Sequence, residues 1–83
     1  MDYAVIRCVN GAFAIHSEHS GDGKTDAEKK SAARASFAEY WAALEADKEF
    51  QGKVQIQVIN NQLDCVDGLT MLIDKTPINN DNE

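Results

Sequence analysis

The chain holds little that would commit it to a chemistry. Lys and Arg are scarce, 8 against 14 Asp and Glu, which leaves a net charge of −6 and a pI near 4.7. That balance works against a nonspecific grip on nucleic acid, where cations must displace the counterions of the phosphate backbone, and against anionic membranes. It leaves open a basic protein partner, or an acidic surface that imitates nucleic acid. No apolar run approaches the roughly 18 residues of a membrane span. The first ten residues hold no basic stretch ahead of an apolar run, so no leader is expected and the chain reads as cytoplasmic. Cys8 and Cys65 are the only cysteines and form no Cys-x-x-Cys pair, so both are expected as small buried hydrophobes rather than in a disulfide or redox role. There is one proline, yet 43% of the residues are hydrophobic and 27% charged, a composition that folds.

What is present is pattern. Tyr3 to Val9 and Ala12 to Glu18 flank Asn10-Gly11, a dipeptide suited to the two positive φ angles of a type I′ hairpin. A two-residue loop sets Val9 opposite Ala12, Cys8 opposite Phe13, Ile6 opposite Ile15 and Val5 opposite His16. Alternation then separates Ala4, Ile6, Cys8, Phe13 and Ile15 from Tyr3, Val5, Arg7, Val9, Ala12, Ala14 and His16. The first set is the expected core face.

The segment His19 to Lys24 reads as a loop. Its Gly-Asp-Gly-Lys-Thr resembles the end of a phosphate-binding loop, but the leading glycine that such a loop requires is absent. Thr25 followed by Glu28 forms a capping box, and Asp26 places negative charge at the positive end of a helix dipole. From Asp26 to about Lys48 there is no glycine or proline and alanine is frequent, so a helix is expected there. Its stripe of Ala33, Phe37, Tyr40, Trp41 and Leu44 should lie on a sheet. The opposite row of Glu28, Ala35, Glu39, Ala42 and Ala46 could admit a second helix, although alanine also serves as a plain helix former.

Gly52 marks a reversal, after which Val54, Ile56 and Val58 alternate with Gln55 and Gln57 as a half-buried strand. A two-residue turn at Asn60-Asn61 would set Val58 opposite Leu63 and Ile56 opposite Cys65, placing Leu63 and Cys65 in the core and Gln55, Gln57, Asp64 and Val66 outside. Gly68 interrupts the fourth strand, and Leu69 to Ile73 is either its continuation or a helical turn. The expected fold is α+β: a ββαββ order, a four-stranded antiparallel sheet and one long amphipathic helix packed on one face. Residues 1–75 form one domain, and the polar stretch 76–83 reads as a frayed tail.

No constellation commits the chain to catalysis. His16, Glu18 and His19 offer donors close in sequence, but His19 falls in the loop and no further Cys or His completes a metal set. The alternation puts the cysteines and His16 on opposite faces, which disfavours a Cys–His dyad. Asp64 and Asp67 point to opposite sides of a strand, and Asp67 before Gly68 is best read as a turn residue. No catalytic, metal or cofactor residues are assigned, and no cofactor is expected. What remains is the outer sheet face of Tyr3, Val5, Arg7, Val9, His16, Gln55, Gln57 and Val66, more apolar than solubility requires and hence the candidate interaction face.

The run Tyr-x-Val-Ile-Arg-x-x-Asn-Gly from Tyr3 to Gly11, the Ser36-Phe37 segment with the aromatic pair Tyr40-Trp41, and Val58-Ile59 followed by Leu63-Asp64-x-Val66-Asp67-Gly68 resemble a group of short bacterial proteins of gut anaerobes. The resemblance spans residues 3 to 68. That group has no assigned activity, so the resemblance implies a free-standing bacterial protein and supplies no site residues. The functional expectation is a small nonenzymatic protein-interaction or dimerisation module, its partner another protein or a second copy. The alternative is a small regulator that binds or mimics nucleic acid, although Tyr3 would be the only outer-face aromatic for stacking. An enzyme using His16 or Asp67 has the least support.

Overall fold

The computed structural model describes residues 2–21 and 23–77. The chain runs β1 (Tyr3–Val9), β2 (Ala12–His19), α1 (Asp26–Ala46), β3 (Lys53–Asn60) and β4 (Cys65–Asp74). All strand pairs are antiparallel, in the order β2-β1-β3-β4, and α1 lies across one face of this open sheet. The expected ββαββ architecture is the observed one. Most of the expected tail, residues 78–83, lies outside the described residues.

The local signals act as chemistry requires. Asn10 and Gly11 take φ of 50° and 89°, the left-handed pair of a type I′ turn. Thr25 Oγ1 accepts from the Glu28 amide at 3.1 Å, while Glu28 Oε1 accepts from the Thr25 amide at 2.8 Å. At the other end the helix stops at Ala46, two residues short of the expected limit. There Asp47 Oδ1 accepts from the amides of Glu49 and Phe50 and pulls the chain out of helical geometry. The α1 stripe is the expected one: Ala33, Phe37 and Leu44 are buried, with Tyr40 and Trp41 packed beside them.

The faces of the first hairpin are reversed from expectation. Cys8 does pair with Phe13 and Ile6 with Ile15, but β1 also pairs with β3, setting Val5 opposite Val58 and Val9 opposite Val54. Those β3 valines face α1, so Tyr3 and Val5 lie under the helix with them, and Ala4, Ile6 and Cys8 face away. Val5, Val54, Ile56 and Val58 form the centre of the core. Each contributes about 1.5–3 kcal/mol through burial. Polar groups on this side find helix partners: Tyr3 Oη donates to Asp26 at 2.9 Å, and Lys29 Nζ reaches Asp2 at 3.0 Å.

Two irregularities complete the sheet. In β2 a bulge moves the partner of Val5 from the expected His16 to Ser17, so His16 and Ser17 both turn towards α1. Between β3 and β4, Gln57 pairs with Thr70 but Ile59 pairs with Cys65, so several β4 residues oppose Val58 alone. Gly68, at φ 77°, lies in that excess. The undecided segment Leu69 to Ile73 is strand, and Leu69 and Ile73 enter the core. The expected two-residue turn is instead a wider loop: Asn60 O accepts from the Leu63 amide, and the Asn60 amide donates to Asp64 O. Asn60 Oδ1 holds the amides of Gln62 and Asp64. This displaces Leu63 and Cys65 from the core, and both are exposed.

Candidate functional site: the uncovered sheet face

The face away from α1 forms three rows across the four strands, read from the pairing. They are Phe13, Cys8, Gln55 and Leu72; then Ile15, Ile6, Gln57 and Thr70; then Glu18, Ala4, Ile59 and Cys65. Glu18 is the only charged residue among them. Beyond the first row, Lys53 pairs with Asp74 at the sheet end. Phe13 is 73% exposed, Ile15 59% and Leu72 61%. In a chain of charge −6, the surface is apolar and charge-poor where a freely solvated sheet would carry alternating polar residues.

The last row is hollow. Ala4 offers only a methyl group between Ile15, Ile59 and Leu63, leaving a groove of about 220 Å³ with Asp2, Glu18 and Asn61 also on its wall. Leu63 is 77% exposed and holds φ at 66°, a left-handed conformation that glycine or asparagine would adopt with less strain. A leucine kept in that conformation extends the apolar surface past the last row.

The candidate face expected from sequence is divided by the fold. Gln55 and Gln57 do lie on the uncovered face. Tyr3 and Val5 are buried beneath α1, Val9 and Val66 pack against the core, and Arg7 and His16 meet Tyr40 of the helix. Ala4, Ile6, Cys8, Phe13, Ile15, Ile59, Leu63 and Leu72 were missed as surface. The cysteines are likewise not core: Cys8 is half-buried on the uncovered face, and Cys65 is exposed with Sγ 2.8 Å from Thr70 Oγ1. They remain opposite His16 because the cysteines and His16 changed sides together.

A second polar cluster lies between β2 and α1. The His16 and Tyr40 rings stack at 4.1 Å with an interplanar angle of 16°, and the Arg7 guanidinium sits 5.9 Å from the Tyr40 ring centre. Ser17 Oγ lies 2.8 Å from both His19 Nε2 and Ser36 Oγ. A serine beside a histidine is where nucleophilic catalysis begins. Here Ser17 is half-buried and shared with Ser36, so the contact ties the bulged strand to the helix. His19 is held below its usual pKa, first by burial and then by the positive charges of Lys24 and His16. Among the described residues no three His, Cys, Asp or Glu groups converge on a metal position, and Glu18 falls on the face opposite His16 and His19.

Among the described residues no helix is long and apolar enough to cross a membrane. No family model, curated protein or solved structure matches this chain.

Proposed function

We propose that this chain is a nonenzymatic protein-interaction module whose working surface is the uncovered sheet face. One observation carries the reading: Phe13, Ile15 and Leu72 stand exposed together on a face whose first two rows bear no charge. Burying such side chains is worth about 1.5–3 kcal/mol each, a gain that a partner can realise and water cannot. The neutral Gln55, Gln57 and Thr70 add hydrogen-bonding capacity without the desolvation penalty of an ion.

The test compares the tagged chain with its Ile15→Glu variant, each purified under native conditions from cells of its own source. The reading expects a companion or a self-assembly that the variant lacks while keeping its fold. Identical size and identical companions for the two proteins would overturn it.

A further inference from the structure

Resting on that interaction reading, we propose that the occupant of the uncovered face is a second copy of this chain, packed sheet to sheet, with Phe13 of each copy seated in the Ala4 groove of the other. Knob and hollow lie on the same face, two rows apart: Phe13 on the first row and Ala4 on the third, with Ile15 and Ile6 between them. A two-fold axis running across the strands along the middle row exchanges first and third rows between copies. Each Phe13 then arrives over the partner's hollow beside β1 and β2, and the contact is made twice, as an isologous interface requires. Ile15 and Ile6 meet their own counterparts near the axis.

Charge and area are compatible with self-association through this face. Two chains of charge −6 repel, so a copy can dock only through a surface that adds little like charge at close range. The three rows provide that surface, with Glu18 as their one charged residue. The same operation carries the Lys53–Asp74 end of one sheet to the Glu18 end of the other. A basic partner, by contrast, would find a single carboxylate, Glu18, on these rows. Four strands about 4.8 Å apart, each of about eight residues at about 3.4 Å, give a face of roughly 500 Å² in outline. Two such faces reach about 1,000 Å², the lower limit for a specific interface.

Sedimentation equilibrium of the purified full chain, from low micromolar to several hundred micromolar, tests the proposal. A monomer–dimer equilibrium is expected, weakened at least roughly tenfold both by Phe13→Ala, which removes the knob, and by Ala4→Phe, which fills the hollow. Ala42→Glu on the exposed side of α1 should leave it unchanged. Circular dichroism of each variant at low concentration separates loss of association from loss of folding, and a variant that does not fold is replaced by the milder Phe13→Val or Ala4→Val under the same criterion. A strict monomer throughout would overturn the proposal, as would a dimer sensitive to Ala42→Glu and indifferent to Phe13→Ala and Ala4→Phe. If the purified chain is monomeric while a companion from its own cells is lost in Ile15→Glu, the second copy is excluded and the interaction reading stands. If neither effect is seen, both fall.

Discussion

Ile6 and Ile15 stand opposite each other on β1 and β2, on the side of the sheet that α1 leaves bare. A cross-strand pair of β-branched residues contributes about 0.2–1 kcal/mol to the hairpin. That contribution does not require Ile15 to remain 59% exposed beside a phenylalanine that is 73% exposed. The core is complete without them, since Val5, Val54, Ile56 and Val58 are fully buried. The isoleucine pair therefore lies at the middle of a second apolar surface, and the account of function rests on it.

Gly52 joins the hairpin turn to β3. Its φ is 137°, and a Cβ there would meet the Asn10 carboxamide, whose Oδ1 accepts from the Lys53 amide at 2.9 Å. Gly52→Ala is expected to destabilise the chain by roughly 1–3 kcal/mol, measured as a lower urea midpoint with an unchanged slope.

Leu63 presents the opposite case. Asparagine tolerates the left-handed position better than leucine, and Leu63 is too exposed to add much to the core. Leu63→Asn is expected to raise stability by roughly 0.5–1 kcal/mol in thermal melts at low concentration. The same change removes a wall of the Ala4 groove, so association should weaken as the fold gains.

Lys75 completes the helix from outside it. The last turn of α1 has no basic residue, but Lys75 Nζ donates to Leu44 O, Glu45 O and Asp47 O at 2.6, 2.9 and 2.7 Å. Lys75→Met keeps the stem and loses these bonds to the negative end of the dipole. A loss of about 1–2 kcal/mol is expected by chemical denaturation.

The depressed pKa of His19 fixes a sign. Folding favours the neutral ring, so the unfolded chain binds the proton more readily. Stability should be full above about pH 6.5, fall as the pH drops below that value, and level off once the folded group is itself protonated. Melting temperatures across this window, compared between the wild type and His19→Gln, measure the contribution. An equal slope in both proteins would place its source elsewhere.

Much of the architecture was legible because each element carried its own signal. The Asn10-Gly11 turn, the Thr25–Glu28 cap and the Val54-Ile56-Val58 alternation all act as read. What was not legible is which side of the first hairpin would be buried. A register states which side chains share a face, and both faces of β1 are apolar. The decision comes from the pairing of Val5 with Val58 and Val9 with Val54, which is a contact between distant segments. The β2 bulge and the excess residues of β4 have the same origin, since neither is visible in local periodicity. The candidate site followed the face. An uncovered apolar surface was expected and is present, but of the residues named for it only Gln55 and Gln57 occupy it.

Cys8 provides the most direct measurement, because it sits in that face beside Phe13. Its rate of alkylation in native buffer, resolved from that of Cys65 by mass spectrometry, should be high in dilute protein and fall as the concentration rises, and Ile15→Glu should abolish the fall. A Cys8 that reacts only on unfolding, or at one rate whatever the concentration, would contradict the account.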